Sequence, residues 1–134
     1  MSTLEYPQPN GVAPGNGYSH VVTGSGQSVA IAGQVALDAD GQFVGVDDPA
    51  AQARQVFANL DACLKAAGAT FADVVKLNFF VTDIAYLPAI RAARDTYVNT
   101  TTPPASTAVQ VAALFSPQAL LEIEAYALLP HPTH

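Results

Sequence analysis

The segment from Asp48 to Gly68 does most to limit what this chain can fold into. Asp48 stands ahead of Pro49, an N-cap followed by proline at the first helical position. Ala53, Val56, Phe57, Leu60 and Leu64 then recur at three- and four-residue spacing as one apolar stripe, and Gly68 supplies a left-handed stop. A helix with a single apolar stripe has to bury it against another layer. Two alternating segments provide that layer. In 74–81, Val75, Leu77, Phe79 and Val81 share one face while Lys76, Asn78 and Phe80 take the other. In 121–125, Leu121, Ile123 and Ala125 alternate with Glu122 and Glu124.

Further elements follow from punctuation. Segments 20–23 and 29–32 flank Gly24-Ser-Gly-Gln27 as a hairpin, and 35–37 runs into a turn at 38–41. Asp83 can cap a second helix with Pro88 in its first turn, in which Leu87, Ile90, Arg94 and Tyr97 share a side. Pro103-Pro104 closes it; strands at 107–114 and 120–128 complete the chain around a Ser116-Pro117 turn. The proline-rich first nineteen residues read as an irregular lead-in. The expected order is ββαβαββ, an α+β fold with two helices on one face of a mixed sheet, in a single domain spanning residues 1–134.

Composition adds an expectation about assembly. Half the residues are hydrophobic and only 12 % are charged, against about 25 % in ordinary soluble domains. A chain this small has a large surface for its volume, so the missing charge implies that part of the surface is buried against other copies. The second face of the sheet fits that role, since Phe80, Leu120, Tyr126 and Leu128 lie among its polar residues.

Several function classes are disfavoured. Net charge is −6, and the five bases, Arg54, Lys65, Lys76, Arg91 and Arg94, form no cluster. A phosphate-tracking surface needs several cations along one face, so no nucleic-acid partner is expected. There is no apolar run of membrane-spanning length and no basic leader, so no membrane association is expected and a cytoplasmic location is the default. A single cysteine excludes an internal disulfide.

Glu122 and Glu124 are the leading chemical candidates. They lie on one strand face about 7 Å apart, from a rise of ~3.3 Å per residue. A glutamate at a buried seam loses solvent, which favours its protonated form and suits proton transfer. The alternative is that both stay ionised and bond to Lys76 or to hydroxyl groups across the sheet. Cys63, beside the helical stripe, reads as a reduced core thiol, and His20 as a residue making ordinary hydrogen bonds. His131 and His134 have spacing reminiscent of a metal pair but no third ligand. Gly24-Ser-Gly-Gln27 lacks the helix and lysine of a phosphate loop, and Asp38 with Asp40 are too few for calcium.

An ordered set of short motifs resembles the RidA/YjgF family, also labelled endoribonuclease L-PSP, over nearly the whole chain. It comprises Gly17-Tyr18-Ser19, Ala32-Gly33-Gln34, Ala51-Gln-Ala-Arg-Gln55 with Asn59-Leu60, Ala66-Ala-Gly68, Asp73-Val-Val-Lys76, Phe80-Val-Thr-Asp83, Pro104-Ala105 and Glu122-Ile-Glu-Ala125. The resemblance implies a chorismate-mutase-like fold and a homotrimer whose sheets form a central barrel, with small-molecule clefts between subunits. It also implies hydrolysis of enamine and imine intermediates to 2-keto acids and ammonia without a metal or organic cofactor. In the family an arginine binds the substrate carboxylate and a glutamate helps activate water.

Transferring those roles assigns the catalytic glutamate to Glu122, the family tyrosine to Tyr18 and the cleft glycine to Gly33. The family's Arg-Ser-Cys/Thr-Val strand start falls on Ser106, Thr107, Ala108 and Val109, so Ser106 stands where the arginine is expected. Thr107 and Ala108 would line the cleft beside it. Arg91, matching a family asparagine on the second helix, either substitutes for the lost guanidinium or is a solvated helix charge. A desolvated carboxylate without an arginine is costly, so activity on 2-aminoacrylate is expected to be weak or absent. The readings carried forward are an imine or enamine hydrolase with a non-standard substrate, or a non-catalytic trimer binding a small metabolite. Ribonuclease action is disfavoured by the acidic charge.

Overall fold

The computed structural model describes residues 4–130; His131 and His134 lie outside them. Six main elements follow in order: β1 (Gln27–Gln34), α1 (Pro49–Ala66), β2 (Val74–Val81), α2 (Leu87–Arg94), β3 (Ala105–Gln110) and β4 (Leu121–Leu129). One sheet has the order β1-β4-β2-β3, with β4 antiparallel to both neighbours and β2 parallel to β3. The last strand thus inserts between the first two; α1 carries the chain over β4's place from β1 to β2, and α2 is the crossover that the parallel pair β2–β3 requires. The α+β class, the mixed sheet and the presence of two helices are as the sequence indicates, but Asp83 caps a 3-10 turn at Ile84–Tyr86 ahead of α2, and α2 ends before Tyr97.

Helix α1 begins as expected: Asp48 accepts a hydrogen bond from the Ala51 amide, and Pro49 opens the first turn. It ends where Gly68 takes a φ of +79°, a conformation glycine adopts without a Cβ penalty. The stripe Ala53, Val56, Phe57, Leu60 and Leu64 is fully buried against Leu77, Val81, Leu121, Ile123 and Ala125. Truncating one such leucine to alanine typically costs about 2–5 kcal/mol, because transfer and cavity terms add. Gln52, also fully buried, is the polar member of this layer. Its amide donates to the carbonyls of Gly45 and Gln118 and accepts from the Leu120 amide, tying the N-terminal part of α1 to the loop before it and to the segment that leads into β4.

Three local expectations are corrected. The 20–23 segment is not a hairpin strand, so the observed order begins with β1: its one ladder contact is an isolated bridge from Thr23 to Glu5, and β1 pairs with β4 alone. On β2 the helix-facing residue is Val74 rather than Val75, since a register shift against β4 falls between Val74 and Lys76. The alternation resumes correctly at Leu77. The strand expected at 107–114 runs instead from Ala105 to Gln110.

The other sheet face is uncovered within one chain. Phe80, Glu122 and Glu124 are half-buried there, and Tyr126 and Val109 are exposed.

Candidate functional site

The edge strand β3 places its residues through its pairing with β2. Ser106 aligns with Leu77 and Ala108 with Phe79, so both point to the helix side; Thr107 aligns with Asn78 on the open side. There Lys76 Nζ donates to Thr107 Oγ1 at 2.8 Å. Between β3 and α2 lies a narrow cleft of about 30 Å³ lined by Phe79, Leu87, Ile90, Ser106 and Ala108, with Tyr18 and two arginines, Arg91 and Arg94, at its sides.

Tyr18 reaches this cleft because Ser19 fastens the 17–20 segment to the start of β3. The Ser19 amide donates to Pro104 O at 3.2 Å and its hydroxyl to Pro103 O at 2.6 Å. The Tyr18 ring meets His20 edge-on, with centroids 5.2 Å apart. His20 Nε2 is 2.6 Å from Ala13 O, an ordinary hydrogen bond as its sequence context indicates.

Arg94 is the functional candidate that sequence reasoning missed. Its residue is 8 % exposed, and its Nε and Nη2 both lie against the adjacent Asp95 Oδ1, at 3.0 and 2.9 Å. The signal was its position on the same helical side as Leu87, Ile90 and Tyr97: a guanidinium on a stripe meant for burial needs a reason to be there. Arg91, three residues earlier, is exposed at the cleft's side.

The two glutamates prove unlike. Asn78 Nδ2 donates to Glu124 Oε2 at 2.8 Å, the bonded, structural arrangement. Glu122 has no hydrogen bond or ion pair among the described residues, although it is half-buried between Phe80 and Gly33. Its side chain lies so close to Gly33 that a Cβ at position 33 would sit 2.8 Å from Glu122 Cδ. Only glycine leaves room for the carboxylate there. The β-bulge between Ile31 and Gln34 brings this glycine under β4.

The expected site residues therefore form two groups. Tyr18, Arg91, Ser106 and Ala108 meet in the helix-side cleft. Glu122 and Gly33 lie on the open side, and Thr107 is on that side too but one strand or more away. Glu122 is separated from β3 by the whole of β2, a spacing of roughly 9–10 Å between strand axes. One chain does not bring its glutamate to its own Ser106.

The remaining candidates are structural. Cys63 is partly buried at the margin of the core, less sealed than a core thiol. Asp38 Oδ1 accepts from the amides of Asp40 and Gln42, which closes a turn. Among the described residues no three His, Cys, Asp or Glu side chains gather at metal-binding distances, and no helix is long and apolar enough to cross a membrane.

Comparison with known proteins agrees with this architecture. Residues 9–129 match the family model described as Endoribonuclease L-PSP. A crystal structure of YyfB from Yersinia pestis, a protein of unknown function of the conserved Rid protein family, is similar at 41 % identity and a TM-score of 0.85, covering 95 % of this chain and 99 % of that one. A RutC family protein of Synechocystis is 35 % identical across 88 % of this chain and 90 % of its own length. A Dermatophagoides farinae protein named 2-iminobutanoate/2-iminopropanoate deaminase is 32 % identical across 96 % of this chain and 94 % of its own.

Proposed function

Because this chain belongs to the endoribonuclease L-PSP family, also known as RidA/YjgF, we propose that it is an imine or enamine hydrolase working in clefts between the subunits of a homotrimer. The observation that carries this reading is the half-buried carboxylate of Glu122, unpaired among the described residues and held over Gly33 on a sheet face that one chain leaves uncovered. A carboxylate with no protein partner is available to a water molecule. The distribution of residues over two faces supports the intersubunit location: Glu122 and Gly33 from one subunit would meet Tyr18, Ser106 and Ala108 from the next. Thr107, bonded to Lys76, would shape the rim.

The chemistry asks little beyond these groups. The enamine first tautomerises to its imine. Glu122 takes a proton from water as the water oxygen adds to the C=N carbon and passes it to nitrogen, giving a neutral carbinolamine. A second transfer through Glu122 carries the hydroxyl proton to nitrogen as the C–N bond breaks, leaving a carbonyl compound and ammonia. A positioned acid–base group of this kind contributes about 10²–10⁴-fold. The named deaminase activity of the Dermatophagoides relative supports the same reaction class. No metal or organic cofactor enters these steps.

A second reading, a non-catalytic trimer that binds a small metabolite in the same clefts, is favoured by one observation. The β3 start carries the hydroxyls of Ser106 and Thr107 where an anchoring guanidinium is expected. Ammonia release from a panel of enzymatically generated imines, with Glu122→Gln as control, separates the two. Turnover lost in the variant supports the hydrolase; saturable ligand binding without turnover by the unmodified protein supports the binder. Ribonuclease action stays disfavoured, since the chain carries five bases against eleven acids.

A further inference from the structure

We propose that Arg94 is the anion-binding residue of the helix-side cleft, receiving the carboxylate of a small, singly charged ligand at the place where Ser106 offers no guanidinium. The inference rests on reading the cleft as a substrate site, and it names the residue that would anchor the substrate there.

Four observations carry it. Arg94 is almost wholly buried, yet it lines the cleft together with Ser106 and Tyr18. Its five N–H donors are only partly used: Nε and Nη2 approach Asp95 Oδ1, and Nη1 has no protein acceptor among the described residues. Among those residues no fully buried side-chain nitrogen or oxygen lacks a partner, so the unused donors keep access to solvent, which the cleft supplies. Finally, the guanidinium runs beneath Gly17, where a Cβ would stand 3.2 Å from Nη2 and where φ is +79°. A glycine at that position leaves the charged group its place.

The ligand class follows from charge and size. Asp95 offsets one of the two arginine charges at the cleft, leaving about one net positive charge, the match for a monoanion. A cavity of about 30 Å³ accepts a carboxylate head group, being about the room of two waters. Phe79, Leu87 and Ile90 form an apolar wall suited to a short aliphatic chain. The anchor therefore comes from the second helix, one turn further along than Arg91.

The test is titration of the whole protein with 2-oxobutanoate, followed by calorimetry and amide NMR. Arg94→Gln is expected to weaken binding tenfold or more, and neutral 2-oxobutanamide to bind the unmodified protein at least tenfold more weakly than the acid. Asp95→Asn, whose side chain is largely exposed and keeps an acceptor oxygen for Arg94, is expected to tighten binding about threefold by weakening the competing ion pair. Arg54→Gln, on the exposed side of α1, is the charge control and is expected to bind as the parent does. Equal affinity of acid and amide, unchanged binding in Arg94→Gln, or no tightening in Asp95→Asn would overturn the proposal. The last arm holds even if Arg94→Gln fails to fold. Turnover decides the other question separately. Carboxylate binding without any turnover leaves this site standing and removes the hydrolase reading. Full turnover in Arg94→Gln removes this site and leaves the hydrolase.

Discussion

The carboxylate of Glu122 lies over Gly33 in a space that no other residue type would leave open. Gly33→Ala is thus expected to displace Glu122 and lower kcat at least tenfold. In a Glu122→Gln background the same alanine should cause little further loss, because the group it displaces no longer acts. Steady-state kinetics on the four proteins of this double-mutant cycle measures the coupling. Additive losses would mean that Gly33 matters for another reason.

Glu122 and Glu124 share a strand face and differ in what they touch, so they should respond differently to the same change. Glu122→Gln is expected to reduce imine hydrolysis by about 10²-fold or more. Glu124→Gln keeps an acceptor oxygen for Asn78 Nδ2 and is expected to retain activity within about threefold. Ammonia release under identical conditions compares them.

If Arg94 supplies the guanidinium that Ser106 lacks, the two positions should be interchangeable in part. Arg94→Gln combined with Ser106→Arg is expected to recover carboxylate binding relative to Arg94→Gln alone, since Ser106 lines the same cleft. Titration with 2-oxobutanoate measures the recovery. No gain in the double variant would place the two side chains in separate environments.

Gln52 carries a structural prediction that the site does not depend on. Its amide satisfies two carbonyls and one N–H in the segments that lead into α1 and β4. Gln52→Ala leaves those groups unpaired and is expected to cost about 2–4 kcal/mol of stability. Denaturant unfolding, with the m-value unchanged, checks it.

The legibility of this chain follows the range of the forces involved. Helix α1 was readable because its cap, its proline, its stripe and its stop are all local. The Leu121–Leu129 strand was readable because alternation survives without knowledge of its partners. The 20–23 segment was read from the turn beside it, but a turn does not fix which segments pair, and Thr23 bridges to Glu5 instead of to β1. Val74 and Val75 exchanged faces because a bulge is a property of two strands rather than one. At the site, Tyr18, Ser106, Ala108 and Arg91 did gather in one cleft. Arg94 was visible as a charge on a buried helical side, but its direction depends on Gly17 and Asp95, which lie on a loop and past the helix end. That Glu122 lies on the opposite face from Ser106 required the sheet order.

The central claim is that each site is built from two chains, and mixing inactive subunits tests it. Glu122→Gln disables one half of the site, and Ala108→Trp fills the cleft that forms the other half. Each variant alone is expected to be inactive. Unfolded together and reassembled in equal amounts, random trimers would pair an intact Glu122 with an intact cleft at about a quarter of their sites. Recovery of about a quarter of the parent activity is the expected result. Activity that stays at the level of the separate variants, with trimers confirmed by light scattering, would contradict a shared site.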